Sequence, residues 1–185
     1  MKNTTIGNQQ ERLIAAKSWL AGMIDADGCI TFAVSYQKYR NKQGNQTNKL
    51  LDPLVDIATS CTGTKDVLVK TIKFIGAACY VTGRYKKNPC YTIRVSGLRR
   101  VNNFLPLVIP YMVTKKEEAE KLLQFCQSRL AKQIKFKSSP YTSEELELFS
   151  SIKKIKVIRI LRDYMPDILW LQDKDIVRSH DESVS

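Results

Sequence analysis

One stretch constrains this chain more than any other: Leu20-Ala21-Gly22-Met23-Ile24-Asp25-Ala26-Asp27-Gly28. An apolar run with two small residues leads straight into two carboxylates and a glycine. Ala21 and Gly22 would let a second backbone approach closely, as small residues do at tight helix contacts. Asp27 stands where a helix would stop, and Gly28 suits a left-handed cap. Acids at the end of a close-packed helix pair are costly to bury, and a bound cation would offset that cost. Taken alone, Asp-Ala-Asp-Gly also fits a solvated turn. A calcium loop needs further oxygen ligands and a closing Glu. The next residues, Cys29-Ile30-Thr31-Phe32, do not supply them.

The charge is as informative as the motif. The 185 residues carry a net charge of +12. Residues 29–100 hold 13 Lys and Arg against 3 Asp and Glu, so ten of the twelve surplus charges fall there. Segregation of this kind points to a polyanion. The five cysteines (Cys29, Cys61, Cys79, Cys90, Cys126) show no Cys-x-x-Cys spacing, and the one histidine, His180, lies in a polar tail. A Cys/His zinc site and histidine base catalysis are both disfavoured. Reduced thiols are expected, with a Cys79–Cys90 disulfide across a hairpin as the alternative. The polar start at residues 1–11 and the short, Pro-broken apolar runs predict neither a signal peptide nor a membrane span, hence an intracellular protein.

Periodicity gives the element order. A motif helix is expected over 11–27. Residues 29–39 alternate as a strand, with Ile30, Phe32, Val34 and Tyr36 inward and Thr31, Ala33, Ser35, Gln37 and Tyr39 outward. A polar loop over 40–49 leads to a strand over 50–60, with Val55 and Ile57 inward and Asp56 outward. Then come a helix over 64–75, a hairpin of strands 77–85 and 89–96, and helices over 99–105 and 115–130. Ser138-Ser139-Pro140 breaks the pattern, and Thr142–Glu145 resembles a capping box opening a helix to about residue 162. A short helix over 164–177 and a disordered tail from 179 complete the reading. The expected fold is α+β, with a four-stranded antiparallel sheet, helices on one face and a polar, basic opposite face. The core spans 1–137, with sheet 29–96, a helical extension 138–178 and the tail 179–185.

For a polyanion that is a nucleic-acid duplex, strand parity proposes which residues would meet it. Arg84, Arg94 and Gln37 suit base edges. Lys38, Arg40, Lys42, Lys49 and Lys87 suit phosphates. Thr31, Ser35, Tyr39, Thr82, Lys86 and Thr92 complete the candidate DNA surface.

The nine-residue string resembles the LAGLIDADG motif of homing endonucleases, departing only at Met23. A second segment, Leu107–Glu120 (LVIPYMVTKKEEAE), resembles the part of that family carrying an active-site lysine. The resemblance implies an αββαββα core over about 11–130 whose curved sheet saddles duplex DNA. It implies Asp27 as metal ligand and catalytic residue, the Ala26 carbonyl as its neighbour, and Lys115 as the catalytic-site lysine, with Lys116 the alternative. Asp25 is a structural cap near the interface. The family's polar residue after the second strand, commonly Gln, is missing, leaving Thr59 or Ser60. The metal implied is Mg2+, with Mn2+ as an alternative and Ca2+ supporting binding without cleavage. One motif without a repeat implies a homodimer joined through Trp19, Leu20, Ala21, Gly22, Met23, Ile24 and Asp25. The implied activity is an intron-encoded, double-strand cut at a long pseudo-palindromic site, leaving short 3′ overhangs. An RNA maturase acting on its own group I intron, or a non-catalytic DNA-binding regulator, remains open as an alternative on the same fold.

Overall fold

The computed structural model describes residues 4–41, 44–84, 89–132 and 140–164, with backbone alone for 4–7, 37–41, 44–49, 84 and 157–164. Five helices and four strands follow in the order α1 (Thr4–Asp27), β1 (Gly28–Asn41), β2 (Gly44–Thr59), α2 (Thr62–Phe74), β3 (Tyr80–Arg84), β4 (Cys90–Ser96), α3 (Leu98–Val108), a 3-10 turn (Ile109–Tyr111), α4 (Lys116–Ala131) and α5 (Ser143–Tyr164). The strands form one antiparallel sheet, ordered β1-β2-β4-β3. Residues Met1–Phe149 make one compact unit, and Ser150–Ser185 a second, whose described part is the remainder of α5. Among the described residues, no helix is long and apolar enough to cross a membrane.

Helices cover one face of the sheet. Ile30, Phe32, Val55, Ile57, Ile93 and Val95 point into that core, each 7% exposed or less. Leu20 and Ile24 of α1, Leu68 and Ile72 of α2, Val101, Phe104 and Leu105 of α3, and Leu122 and Phe125 of α4 close over them. Each such side chain contributes about 1.5–3 kcal/mol by leaving water. Phe32 meets Phe125 and Phe149 edge-on, at 4.7 and 5.3 Å between ring centroids.

The capping box at the start of α5 is present. Thr142 N–H donates to Glu145 Oε2 (3.0 Å), and Glu145 N–H to Thr142 Oγ1 (3.4 Å). The fully buried Glu145 carboxylate also accepts from Lys132 (2.7 Å), Ser128 (3.0 Å) and Arg129 (3.3 Å), which ties α5 to α4.

Several expectations shift. The motif helix starts at Thr4 rather than residue 11, because Thr4–Gln10 carries no apolar period to announce it. The polar loop over 40–49 is largely strand: Ser35–Asn41 pair with Gly44–Leu50. This hairpin runs past the core, so its residues need no inward apolar set. For the same reason Val34 and Tyr36, expected inside, are 36% and 65% exposed. Gly28 is not a left-handed cap, since positive φ occurs at Gly76 and Gly97. Its role is close approach: a Cβ there would fall 2.6 Å from the Ile24 carbonyl oxygen. Cys79 and Cys90 do not face each other, because Cys90 pairs with Arg84. Cys79 lies five residues away, roughly 17 Å at about 3.4 Å per residue. None of the five cysteines forms a disulfide among the described residues, and burial pushes the Cys126 thiol up to about 12.

Candidate metal centre and nucleic-acid surface

The C-terminus of α1 and the N-terminus of α4 clamp each other. Asp25 Oδ2 accepts the Val113 N–H (2.7 Å) and Oδ1 the Lys115 N–H (2.9 Å). Thr114 Oγ1 donates to the Asp25 carbonyl (3.4 Å). Burial pushes the Asp25 carboxyl up, but hydrogen bonds to the carboxylate from Val113, Lys115 and Thr114 outweigh it and hold the group below its ordinary range. Asp25 is therefore a cap on the start of α4, where the helix dipole favours an anion.

Lys115 reciprocates. Its ammonium donates to the carbonyl oxygens of Ile24 (2.9 Å), Ala26 (3.3 Å) and Gly28 (2.8 Å). These oxygens surround the negative end of a 24-residue helix, the place a cation prefers. Of the two candidate lysines, Lys115 is the one brought to the motif. Lys116 is exposed and sits 4.0 Å from Glu120 along α4. Asp27, the last residue of α1, is exposed, with no partner among the described residues. Among the described residues, no three His, Cys, Asp or Glu side chains gather as a metal site.

The donors present still fit a hard divalent cation. They are one carboxylate and a set of backbone carbonyls, all oxygen. The carbonyl cradle already holds a cation, the Lys115 ammonium. One acid per chain leaves the coordination to be completed by other oxygens.

The residues expected at a dimer contact divide by face. Leu20, Ala21 and Ile24 are 0% exposed inside this chain's own core, so they cannot form that surface. Helical spacing turns them inward and turns Ala15, Gly22 and Ala26 outward, all exposed, with Trp19 beside them at 39% and Met23 half-buried. A Cβ built on Gly22 meets nothing within 4 Å.

The sheet face away from the core carries the rest. Thr31 and Thr92 are half-exposed there, and Ser35 and Thr82 exposed. Arg94 is on this face too, bound to Asp56 by Nε–Oδ1 (2.7 Å) and Nη2–Oδ2 (2.6 Å). Asp56, Asp52 and Tyr80, which share the face, are absent from the sequence-based candidate set. Outward parity marks Asp56, but the β2–β4 register that sets it opposite Arg94 is not visible in either strand alone. Gln37, Lys38, Tyr39, Arg40 and Lys49 are placed by backbone in the β1–β2 hairpin, and Arg84 at the end of β3. Lys42, Lys86 and Lys87 lie outside the described residues. The last described pairs of the two hairpins, Asn41–Gly44 and Arg84–Cys90, fall at opposite ends of the sheet. The Arg84–Cys90 pair is at the Asp27 end, since Gly28 pairs with Ile57 and Thr59 with Tyr91. Thr59 Oγ1 accepts the Cys61 N–H (3.2 Å), and Ser60 is exposed.

This arrangement matches solved structures. The homing endonuclease I-CvuI, in complex with its target in the presence of 2 mM Ca, superposes with a TM-score of 0.52 at 21% identity, over 78% of this chain and 83% of that one. The chain has the LAGLIDADG homing endonuclease fold. I-SmaMI bound to an uncleaved DNA target in the presence of calcium ions gives 0.53 at 15% identity, over 74% of this chain and 42% of that one. The same enzyme bound to cleaved DNA gives 0.51 with the same identity and coverage. The chain thus spans less than half the length of I-SmaMI. No family model and no curated protein matches the sequence.

Proposed function

We propose that this chain is a LAGLIDADG homing endonuclease that works as a homodimer and makes a metal-dependent double-strand break in a long pseudo-palindromic DNA site. The observation that carries the proposal is the cation cradle: three carbonyls around Lys115, beside the exposed Asp27, at the rim of the outer sheet face. Asp27 supplies the negative charge and Ala26 the carbonyl for Mg2+ or Mn2+. When bound, the metal neutralises charge on the scissile phosphate and acidifies a water. Lys115 has a flexible stem and a compact charge, so its ammonium can turn from the carbonyls to an arriving phosphate. The described site holds no imidazole, so the proton passes to solvent. Calcium with uncleaved DNA in the I-SmaMI complex supports binding without cutting in Ca2+.

β1 has 14 residues, about 45 Å at about 3.4 Å per residue. That is the length of roughly 13 base pairs. Two such sheets would read a site of twenty or so pairs. One motif per chain and an open small-residue face on α1 support pairing about a two-fold axis. Short 3′ overhangs and intron residence belong to the same reading.

The test is cleavage of a randomised duplex library, with the ends sequenced, in Mg2+ and in Ca2+, for wild type and Asp27→Asn. Discrete cuts in Mg2+ that vanish in the variant, with binding kept in Ca2+, are expected. Specific binding with no cutting by the wild type would contradict the nuclease and favour the maturase or regulator.

A further inference from the structure

We propose that Asp56 is a specificity-positioning residue, which fixes the Arg94 guanidinium so that it reads one guanine in each half-site. This rests on the reading of the outer sheet face as a DNA surface. It adds a residue and a base to that reading.

The two side chains form a side-on bidentate pair at 2.7 and 2.6 Å. Asp56 is 16% exposed and Arg94 32%. They stand in one row across the sheet, Cys29–Asp56–Arg94–Tyr80, on the face that carries no helix among the described residues. As a strand-to-strand tie the pair is well formed, since a half-buried bidentate Arg–carboxylate contact has the geometry in which an ion pair does stabilise. As a positioning device it does more. A carboxylate that takes Nε and Nη2 locks the guanidinium plane, which otherwise turns with the long arginine stem. It also withdraws the side-on fork, leaving the Nη1/Nη2 end to the neighbouring Tyr80 side chain and, on binding, to a base edge. Two parallel donors on that end match O6 and N7 of guanine in the major groove. Adenine presents a donor beside its N7 and repels the same fork.

The place of the pair fixes which base is read. The row begins at Cys29, two residues after Asp27, so Arg94 lies toward the cutting end of the sheet. The guanine belongs to the inner part of each half-site. In a symmetric dimer it appears twice, once on each strand.

The experiment is selection of bound duplexes from a randomised pool in Ca2+, with the wild type, Arg94→Ala, Arg94→Lys, Asp56→Ala and Asp56→Asn, each checked by circular dichroism and thermal melting. The wild type should demand guanine at one symmetric pair of inner columns. Arg94→Ala should flatten those columns, a loss of preference of about 5- to 150-fold for one bidentate contact. Asp56→Ala should flatten the same columns with the others kept, and Arg94→Lys should keep affinity without the preference. If Asp56→Ala does not fold, the isosteric Asp56→Asn takes its place in the comparison. A lower melting temperature with unchanged columns in either Asp56 variant would make the pair a strand tie and overturn the proposal. So would unchanged columns in Arg94→Ala. A wild type that selects no sequence fails at the earlier step: it overturns the DNA-surface reading, and this proposal with it.

Discussion

Lys115 and Asp27 sit one helix end apart and are asked to do different things. Lys115 donates to three carbonyls whose oxygens would otherwise crowd at the negative end of α1. Lys115→Met should therefore destabilise the fold by about 1–3 kcal/mol, since bonds from a charged donor are each worth that order. Thermal melting should show it, with Lys116→Met close to wild type because an exposed i,i+4 pair contributes little. Equal melting temperatures for the two variants would deny the cradle. Asp27→Asn keeps the shape and removes the charge. It should lower the cleavage rate by roughly 10³-fold or more, read in single-turnover kinetics, with little change in melting. Both residues are legible in the sequence, Asp27 in the nine-residue motif and Lys115 in the segment before α4. The bonds of Asp25 are not, because their partners are 88 and 90 residues away. The sequence also leaves Lys116 as an alternative to Lys115, and only the docking of the segment before α4 on the end of α1 separates them.

At the scale of elements, two buried or half-buried carboxylates hold helix starts. Burial raises Asp25 and Glu145, yet hydrogen bonds lower both overall: from Val113, Lys115 and Thr114 for the first, from Lys132, Thr142 and Ser128 with the Arg129 charge for the second. A carboxyl lowered on folding stabilises the fold above its unfolded value, about 3.9 for Asp and 4.3 for Glu, and loses that contribution as pH falls through the folded value. Stability should be flat above about pH 5 and fall progressively below about pH 4. Urea unfolding across pH measures this, and Asp25→Asn should show a shallower acid limb with a lower plateau. An acid limb identical to wild type would mean that Asp25 does not hold the start of α4. The elements themselves are largely legible, because alternation marks β1 and apolar spacing marks α2 and α4. The distal halves of β1 and β2 are not. They lie beyond the helices, so both faces are polar, and their pairing comes from the ladder rather than from burial.

The whole molecule as described is half of the proposed machine. One chain offers one Asp27, no cluster of three acids among the described residues, and an outward stripe of Ala15, Gly22 and Ala26 on α1. The sequence marks this helix as a contact surface, but helical phase decides which side, and packing hides Leu20, Ala21 and Ile24 within the chain. Gly22→Leu should leave the chain folded, since the space around Gly22 is open, while sedimentation shifts from dimer toward monomer. A dimer unchanged by Gly22→Leu would place the contact elsewhere. Binding should also weaken steeply with salt, as the surplus of ten positive charges in residues 29–100 requires. If the machine is a dimer with one acid per chain, each chain cuts one strand. The sharpest check mixes wild type with Asp27→Asn in equal amounts, lets subunits exchange, and follows a supercoiled plasmid bearing the selected site in Mg2+. Nicked circles should accumulate in the mixture and exceed those from either protein alone. Linear product in proportion to wild type, with no added nicks, would contradict the shared cut, because each active chain would then be cutting both strands by itself.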